Sequence, residues 1–153
     1  MSPLPFRQQA AAPRLPAHCR LQTDPDPSGG DINTLLLSCG EPSQPVERWA
    51  LALSRSLWQL SIIDERDSSL VGFIRATSDL ALNANLWNLA ARPGQDQNSI
   101  INVLVHHSLA RLKKELPGCS ISISAPAIAF DGLKKQGFMM DPGGIRAMGL
   151  RLR

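Results

Sequence analysis

The first regular pattern of apolar positions begins at Asp31. Ile32, Leu35 and Leu36 fall on one side of a helix that Asp31 can cap, with a stop at Gly40. A second helix is expected to begin at Pro45, since proline suits the first turn of a helix. Residues 46–55 place apolar side chains on one side of this helix and charged side chains on the other. The pattern predicts two short amphipathic helices.

The pattern then changes to a period of two, which indicates strands at 57–63, 70–77 and 85–91. The first is expected to be half-buried, with Trp58, Leu60 and Ile62 on one face. A polar turn at 64–69 should join the first two strands as an antiparallel hairpin. This part of the chain predicts an antiparallel meander.

A long helix is predicted over residues 99–115, followed by a strand at 119–124. Its apolar stripe recurs at intervals of three and four residues and comprises Ile101, Leu104, Val105, Leu109 and Leu112. The flanking strands should be parallel, because a helical crossover joins them. Leu104, on this stripe, and Trp87, on the preceding strand, are expected to be buried.

After a helix opened by Pro126, alternation predicts a last strand at 145–152 and allows a short one at Phe138–Met139. The elements together predict an α+β (mixed α/β) class. Its expected architecture is a twisted mixed sheet with a central βαβ crossover, flanked by helices.

Six of the twelve prolines lie in residues 1–30, which show no periodic apolar pattern and end in a run rich in Pro and Gly. The expectation is a flexible tail over 1–30 and one folded domain over 31–153. A chain of 153 residues has room for one domain.

The net charge of +3 comes from the amino-terminal segment, where Arg7, Arg14 and Arg20 have no acidic neighbour before residue 24. The rest of the chain carries equal numbers of acidic and basic residues, so a nucleic-acid-binding module is not expected. Apolar runs are too short for a membrane span or a secretory signal.

Three cysteines at wide spacing argue against a disulfide framework and a structural zinc site. We therefore expect reduced thiols, no metal and a cytoplasmic location.

Three segments in this order carry a family resemblance: Val71-Gly-Phe-Ile-Arg-Ala-Thr-Ser-Asp79, Asn83-Ala-Asn-Leu-Trp87 and Lys134-Lys-Gln-Gly-Phe138. Together with the ending Asp141-Pro-Gly-Gly-Ile-Arg-Ala-Met148, they resemble the GCN5-related N-acetyltransferase family, in particular its cyanobacterial and plastid branch. The resemblance covers about residues 31–152 and implies the acyl-CoA N-acyltransferase fold.

That resemblance implies acetyl-CoA as co-substrate, held where the strand at 86–91 separates from the strand at 119–124. Backbone groups of Leu89, Ala90 and Ala91 would contact it, and an amide near Leu89 or Ala90 would support the oxyanion. The helix N-terminus would hold the pyrophosphate. The residues implied there are Asn98, Ser99, Ile100, Ile101 and Asn102.

The phosphate loop departs from the family pattern. Positions that are usually small and glycine-rich are Gln97, Ser99 and Ile101 here, and the leading position is Asp96. A carboxylate beside a polyanion is unfavourable. Arg92 is near enough in sequence to compensate.

The family's usual proton donor to the departing thiolate is a tyrosine, and this chain has none. Ser124 is the candidate in its place, with Cys19, Ser122 and water as alternatives. Asp79 is the candidate base on the acceptor side, and a turn-capping role for it is equally consistent with the sequence.

Two functions follow from the resemblance. The first is an acetyl-CoA-dependent N-acyltransferase acting on a primary amine of a small molecule or a protein. The alternative is a non-catalytic interaction or regulatory module that has lost its phosphate loop, with a protein partner or a homodimer as its setting.

Overall fold

A computed structural model describes residues 11–152 of the chain. The strands of its single sheet are β1 (Cys19–Gln22), β2 (Trp58–Asp64), β3 (Ser69–Ser78), β4 (Asn83–Ala91) and β5 (Ser120–Ile123). They lie side by side in sequence order. Neighbours pair antiparallel except β4 and β5, which are parallel.

Helices cover both faces of the sheet. They are α1 (Gly29–Ser38), α2 (Val46–Ser54), α3 (Gln97–Glu115) and α4 (Phe130–Lys135), with a 3₁₀ turn at Ala127–Ala129. Because α3 links the parallel strands β4 and β5, the predicted βαβ crossover is confirmed. The α+β class and the meander of β2, β3 and β4 are confirmed as well.

The core has two parts, one on each face of the sheet. On one face α3 packs with β2, β3 and β4, and Leu104 at its centre is fully buried, as predicted. On the other face α1 and α2 bury Ile32 and Trp49 against Phe73 of β3. The meander is therefore a central layer between helices, which is why its strands are rich in apolar residues.

Strand β2 is buried on both faces, and the half-buried prediction is wrong. Gln59 and Ser61 are also buried. Gln59 satisfies its amide by donating from Nε2 to the Thr23 carbonyl, and Ser61 donates to Gln59 Oε1 at 2.6 Å. Alternation predicted a polar face, but the helices on the second face and the segment after β1 cover it.

The prediction of a flexible tail over residues 1–30 is wrong at residues 19–22, which form β1. Cys19 to Gln22 pair antiparallel with β2, and Leu21 packs against the core. Helix α1 also begins before Asp31, with Ser28 as its N-cap. A four-residue edge strand shows no periodic pattern, since its stability comes from the neighbouring strand. The first ten residues of the predicted tail lie outside the described residues.

The last predicted strand is also wrong. Between residues 145 and 152 the structure has no strand, nor does it have one at Phe138–Met139. Met148 and Leu150 are exposed, whereas Ile145 lines a groove of about 500 Å³ together with Ile121 and Ile123 of β5. Alternation shows which side chains share a face, but a strand also needs hydrogen-bonding partners, and β5 does not pair with this segment.

Candidate active site

Strands β4 and β5 separate halfway along their length. Their pairing ends at Leu86 and Ile123, and one further hydrogen bond runs from the Ser124 amide to the Leu86 carbonyl at 3.4 Å. Strand β4 continues to Ala91, whereas the chain after Ser124 turns towards α4. The second half of β4 therefore borders a cleft.

A bulge in β4 lies at the point of separation. Ile74 of β3 stands opposite two residues of β4, Asn88 and Leu89. Asn88 adopts a left-handed conformation with φ of 58°, which asparagine tolerates better than most residues. Arg75 Nε donates to Asn88 Oδ1 at 2.7 Å, and burial lowers the pKa of Arg75. The contact stabilises the bulge from the β3 side.

Two adjoining cavities lie along the cleft. The larger, of about 340 Å³, is lined by Leu36, Glu41, Pro42, Gln44, Trp49, Trp87, Asn88, Leu89, Ser124, Ala125 and Pro126. The smaller, of about 140 Å³, is lined by Ser38, Cys39, Glu41, Leu89, Ala90, Ala91, Pro93, Gln97, Ile101, Pro126 and Ile128. Both cavities are lined by Leu89, so they adjoin beside the bulge, and we refer to them together as the cleft.

The structure brings the predicted cofactor contacts on β4 together. Leu89, Ala90 and Ala91 line the smaller cavity with Ile101 of α3. Ser124 lines the larger cavity beside Asn88. Ser124 thus lies at the same cleft as Leu89, although 35 positions separate the two residues in sequence.

The other predicted contacts on α3 divide into two groups. Asn98 and Ser99 are exposed on the first turn, and within the described residues no backbone acceptor is found for their amides. Ile100 faces the sheet, where it packs so closely on Gly72 that a β-carbon there would lie 2.5 Å from it. Asn102 lies against Gly132 of α4. The side chains of Ile100 and Asn102 thus pack within the fold.

Asp79 lies outside both cavities. Its carboxylate accepts hydrogen bonds from the amides of Ala81, Leu82 and Asn83 at 2.9, 2.8 and 3.2 Å. These bonds hold the pKa of Asp79 below its ordinary value, led by the one from Ala81. The geometry is that of a turn cap, which is a poor arrangement for accepting a proton.

Trp87 was expected to be buried, and that expectation is wrong, because 37% of the residue is exposed. Its indole Nε1 donates to Thr77 Oγ1 at 2.8 Å, and the side chain lines the larger cavity. Trp49, on α2, lines the same cavity but is buried, and its Nε1 donates to Asn33 Oδ1. Two tryptophans therefore form part of the cavity wall.

The carbonyl of Ala91 accepts two side-chain hydrogen bonds at the smaller cavity. Gln97 Nε2 donates to it at 3.0 Å and Cys39 Sγ at 3.2 Å. The Gln97 side chain thereby connects the end of β4 to the first turn of α3. A ligand that pairs with this carbonyl has to displace one or both donors.

Charge at the start of α3 is negative. Asp96, the N-cap, makes no side-chain capping bond, and its Oδ2 lies 3.4 Å from His18 Nε2, next to β1. The cavities contain no lysine or arginine among their lining residues. The Asp96 carboxylate thus lies beside a histidine from outside the predicted loop.

Arg92 does not compensate in the way the sequence allows. Its Nη2 lies 3.0 Å from Asp64 Oδ2, and its Nη1 donates to Ser69 Oγ. Asp64 is buried, and the bidentate Arg66 holds its pKa well below the usual range, with Arg92 adding to the effect. Arg92 is therefore engaged in an ion pair with this buried carboxylate, next to the hairpin of β2 and β3.

Two cleft residues were missed by sequence reasoning, Asn88 and Glu41. Asn88 carries no sequence signal for a bulge, because its left-handed backbone depends on pairing with β3. Glu41 follows Gly40, the helix stop, and resembles any loop glutamate until α1 places it at the cleft.

No helix in residues 11–152 combines the length and the apolar character that a membrane crossing requires. Over the same residues, no three His, Cys, Asp or Glu side chains come together as a metal site would need.

The chain is similar to several N-acetyltransferases. It is 31% identical over 121 residues to the uncharacterized N-acetyltransferase ycf52 of Pyropia yezoensis, covering 77% of this chain and 68% of that protein. It is 30% identical over 135 residues to the histone acetyltransferase TAP1 of Glycine max, covering 79% of this chain and 58% of that protein.

Among solved structures, a probable acetyltransferase of unknown function, SA2161 of meticillin-resistant Staphylococcus aureus, matches with a TM-score of 0.78 at 18% identity. The match covers 88% of this chain and 99% of that one. At this identity the likeness shows the fold alone. No protein-family model matches the chain.

Proposed function

The chain belongs to the GCN5-related N-acetyltransferase family, and on that premise we propose that it transfers an acetyl group from acetyl-CoA to a primary amine. The observation that carries the proposal is the separation of β4 from β5 with the Asn88 bulge at its apex. This geometry leaves backbone groups of β4 beside two adjoining cavities of about 340 and 140 Å³.

The residues of the cleft fit the acyl and pantetheine portions of acetyl-CoA. Leu89, Ala90 and Ala91 offer backbone along the cavity wall, and the small alanines leave room for a chain to lie beside the strand. The Ala91 carbonyl is a hydrogen-bond acceptor for a ligand once Gln97 moves. The exposed amides of Asn98 and Ser99 are the donors proposed for phosphate.

In the proposed reaction the nitrogen of the neutral amine attacks the thioester carbonyl carbon. The C–N bond forms and the C–S bond breaks, and the electron pair of that bond leaves with the sulfur. An amide donor near Leu89 or Ala90 stabilises the oxyanion, and one such donor contributes about 3 kcal/mol to lowering the barrier. The nitrogen releases its proton to solvent.

We propose that the Ser124 hydroxyl relays a proton from solvent water to the departing thiolate, so that it gives one proton to the sulfur, takes one from the water and ends the step as a neutral hydroxyl. Ser124 lines the larger cavity, whereas Ser122 donates its hydroxyl hydrogen bond to Asn85. Asp79 is a weaker candidate for a base, because three amides occupy its carboxylate. A cytoplasmic location and a protein partner or homodimer stay predictions.

One observation favours the alternative of a non-catalytic module. The start of α3 carries Asp96, Gln97 fills part of the smaller cavity, and Arg92 is held by Asp64. The part of the cleft meant for phosphates therefore lacks the positive charge that would favour a polyanion.

Isothermal titration with acetyl-CoA, followed by a CoA-release assay with a panel of amines, separates the two functions. The proposed enzyme binds acetyl-CoA with one-to-one stoichiometry and releases CoA only when an amine is present. The full chain is used, with desulfo-CoA as the control ligand that cannot transfer. Absence of binding at millimolar acetyl-CoA would support the non-catalytic module instead.

A further inference from the structure

Glu41 occupies the junction of the two cavities. It lines both of them, together with Leu89 and Pro126. It is also the one charged side chain among the residues that line either cavity in the described chain. The junction thus carries a single negative charge within a wall that is otherwise apolar or neutral.

The position of Glu41 is fixed by its backbone. Helix α1 ends at Ser38, Gly40 turns the chain with φ of 79°, and the Glu41 amide donates to the Leu36 carbonyl at 2.9 Å. The carboxylate takes part in none of the ion pairs found among residues 11–152.

The neighbouring tryptophans do not donate hydrogen bonds to the Glu41 carboxylate. The indole N–H of Trp49 is used by Asn33 and that of Trp87 by Thr77. The larger cavity therefore combines bulky apolar side chains with one carboxylate that pairs with no cationic side chain among residues 11–152. That combination is suited to an ammonium group attached to an apolar body.

We infer that Glu41 binds the ammonium group of the acceptor and selects cationic amines over neutral or acidic ones. The inference rests on the proposed function, because it assigns the larger cavity to the acceptor and the smaller to acetyl-CoA. Glu41 lies at the junction, so the amine is held beside Leu89 of the bulge before its proton is released to solvent. An acceptor with a carboxylate near the amine is repelled by the same charge.

The test compares Glu41→Gln with Glu47→Gln, a matched change on α2 outside both cavities. With an amine that the wild-type protein acetylates, Glu41→Gln is expected to raise KM at least tenfold and to change kcat less than threefold. The Kd of acetyl-CoA is expected to change less than the KM of the amine. A KM within twofold of wild type, while acetylation is measurable, overturns the inference and leaves the proposed function standing.

A binding measurement tests the inference even if the chain does not acetylate. Tryptophan fluorescence is titrated with hexylamine and with hexanoate, which share an apolar chain and differ in charge. Hexylamine is expected to bind wild type and the Glu47→Gln control equally, and to bind Glu41→Gln at least tenfold more weakly, with hexanoate weaker still. Equal binding of the two probes, or no binding of hexylamine, overturns the inference, provided thermal melting shows the variants folded.

Discussion

The larger cavity, which we propose for the acceptor amine and call the acceptor end of the cleft, is shaped by backbone. The start of α3, which we propose for the phosphates and call the phosphate end, is shaped by side chains. At the acceptor end, around Asn88, the bulge and the parting of β4 from β5 create the cavity. At the phosphate end, around Asp96 and Gln97, the helix start is regular but its side chains add negative charge and bulk. Backbone geometry tolerates sequence change, and a phosphate site that depends on small residues does not. The two ends can therefore diverge independently within one fold.

The largest effect on stability is expected in helix α3, which packs beneath both ends of the cleft. Leu104 of α3 is fully buried beneath the sheet, so Leu104→Ala should lower the free energy of unfolding by about 2–5 kcal/mol. Urea unfolding measures it, with His107→Ala on the exposed side of α3 as control. A result indistinguishable from that control would mean that α3 is not the common support of the two ends.

The next effect isolates the backbone of the acceptor end. Asn88→Ala removes the acceptor of the Arg75 hydrogen bond and puts alanine, which tolerates a left-handed backbone less well than asparagine, at this position, for a combined cost of about 2–3 kcal/mol. Asn88→Gly loses the same bond but accepts the conformation, so it should be about 1 kcal/mol less destabilising. Thermal and urea unfolding compare the pair. Equal stabilities of Asn88→Ala and Asn88→Gly would show that the left-handed backbone at residue 88 imposes no cost on alanine.

At the phosphate end, Asp96→Arg should strengthen CoA binding about tenfold, a gain of about 1.4 kcal/mol. The change removes a carboxylate from the start of α3 and adds a donor suited to phosphate. Titration calorimetry measures the Kd, and Glu47→Arg on α2 controls for the change in net charge. The gain should shrink at high salt, since exposed charges are screened. An unchanged Kd at low salt would contradict the electrostatic account of this end.

The smallest effect concerns the Gln97 side chain. Gln97→Ala frees the Ala91 carbonyl of one donor and should strengthen CoA binding about threefold, in keeping with a net hydrogen-bond contribution of about 0.5–1.5 kcal/mol. Gln95→Ala, an exposed neighbour, is the control. Weaker binding by Gln97→Ala would indicate instead that the amide contacts the ligand directly.

Long, regular elements were predictable because their signals are local. The stripe that contains Leu104 predicted α3, and the alternating segments predicted β2, β3 and β4 to within a few residues. Several short segments in the right order, among them those around Trp87 and Gly137, predicted the family. Short edge elements were not predictable. The strand β1 forms because β2 offers a partner, and residues 145–152 alternate without obtaining one.

The residues of the candidate site divide in the same way, into those that local sequence predicts and those that depend on how the elements pack. The sequence by itself determined that Leu89, Ala90 and Ala91 would lie on a strand next to a helix start, and that no tyrosine could serve as the acid. Only the tertiary structure decided that Glu41 would reach the junction of the cavities and that Arg92 would be held by Asp64. The physical reason is that periodicity reports which side of an element is buried. A contact between side chains depends on how separate elements pack, and the sequence spacing of two residues does not encode that.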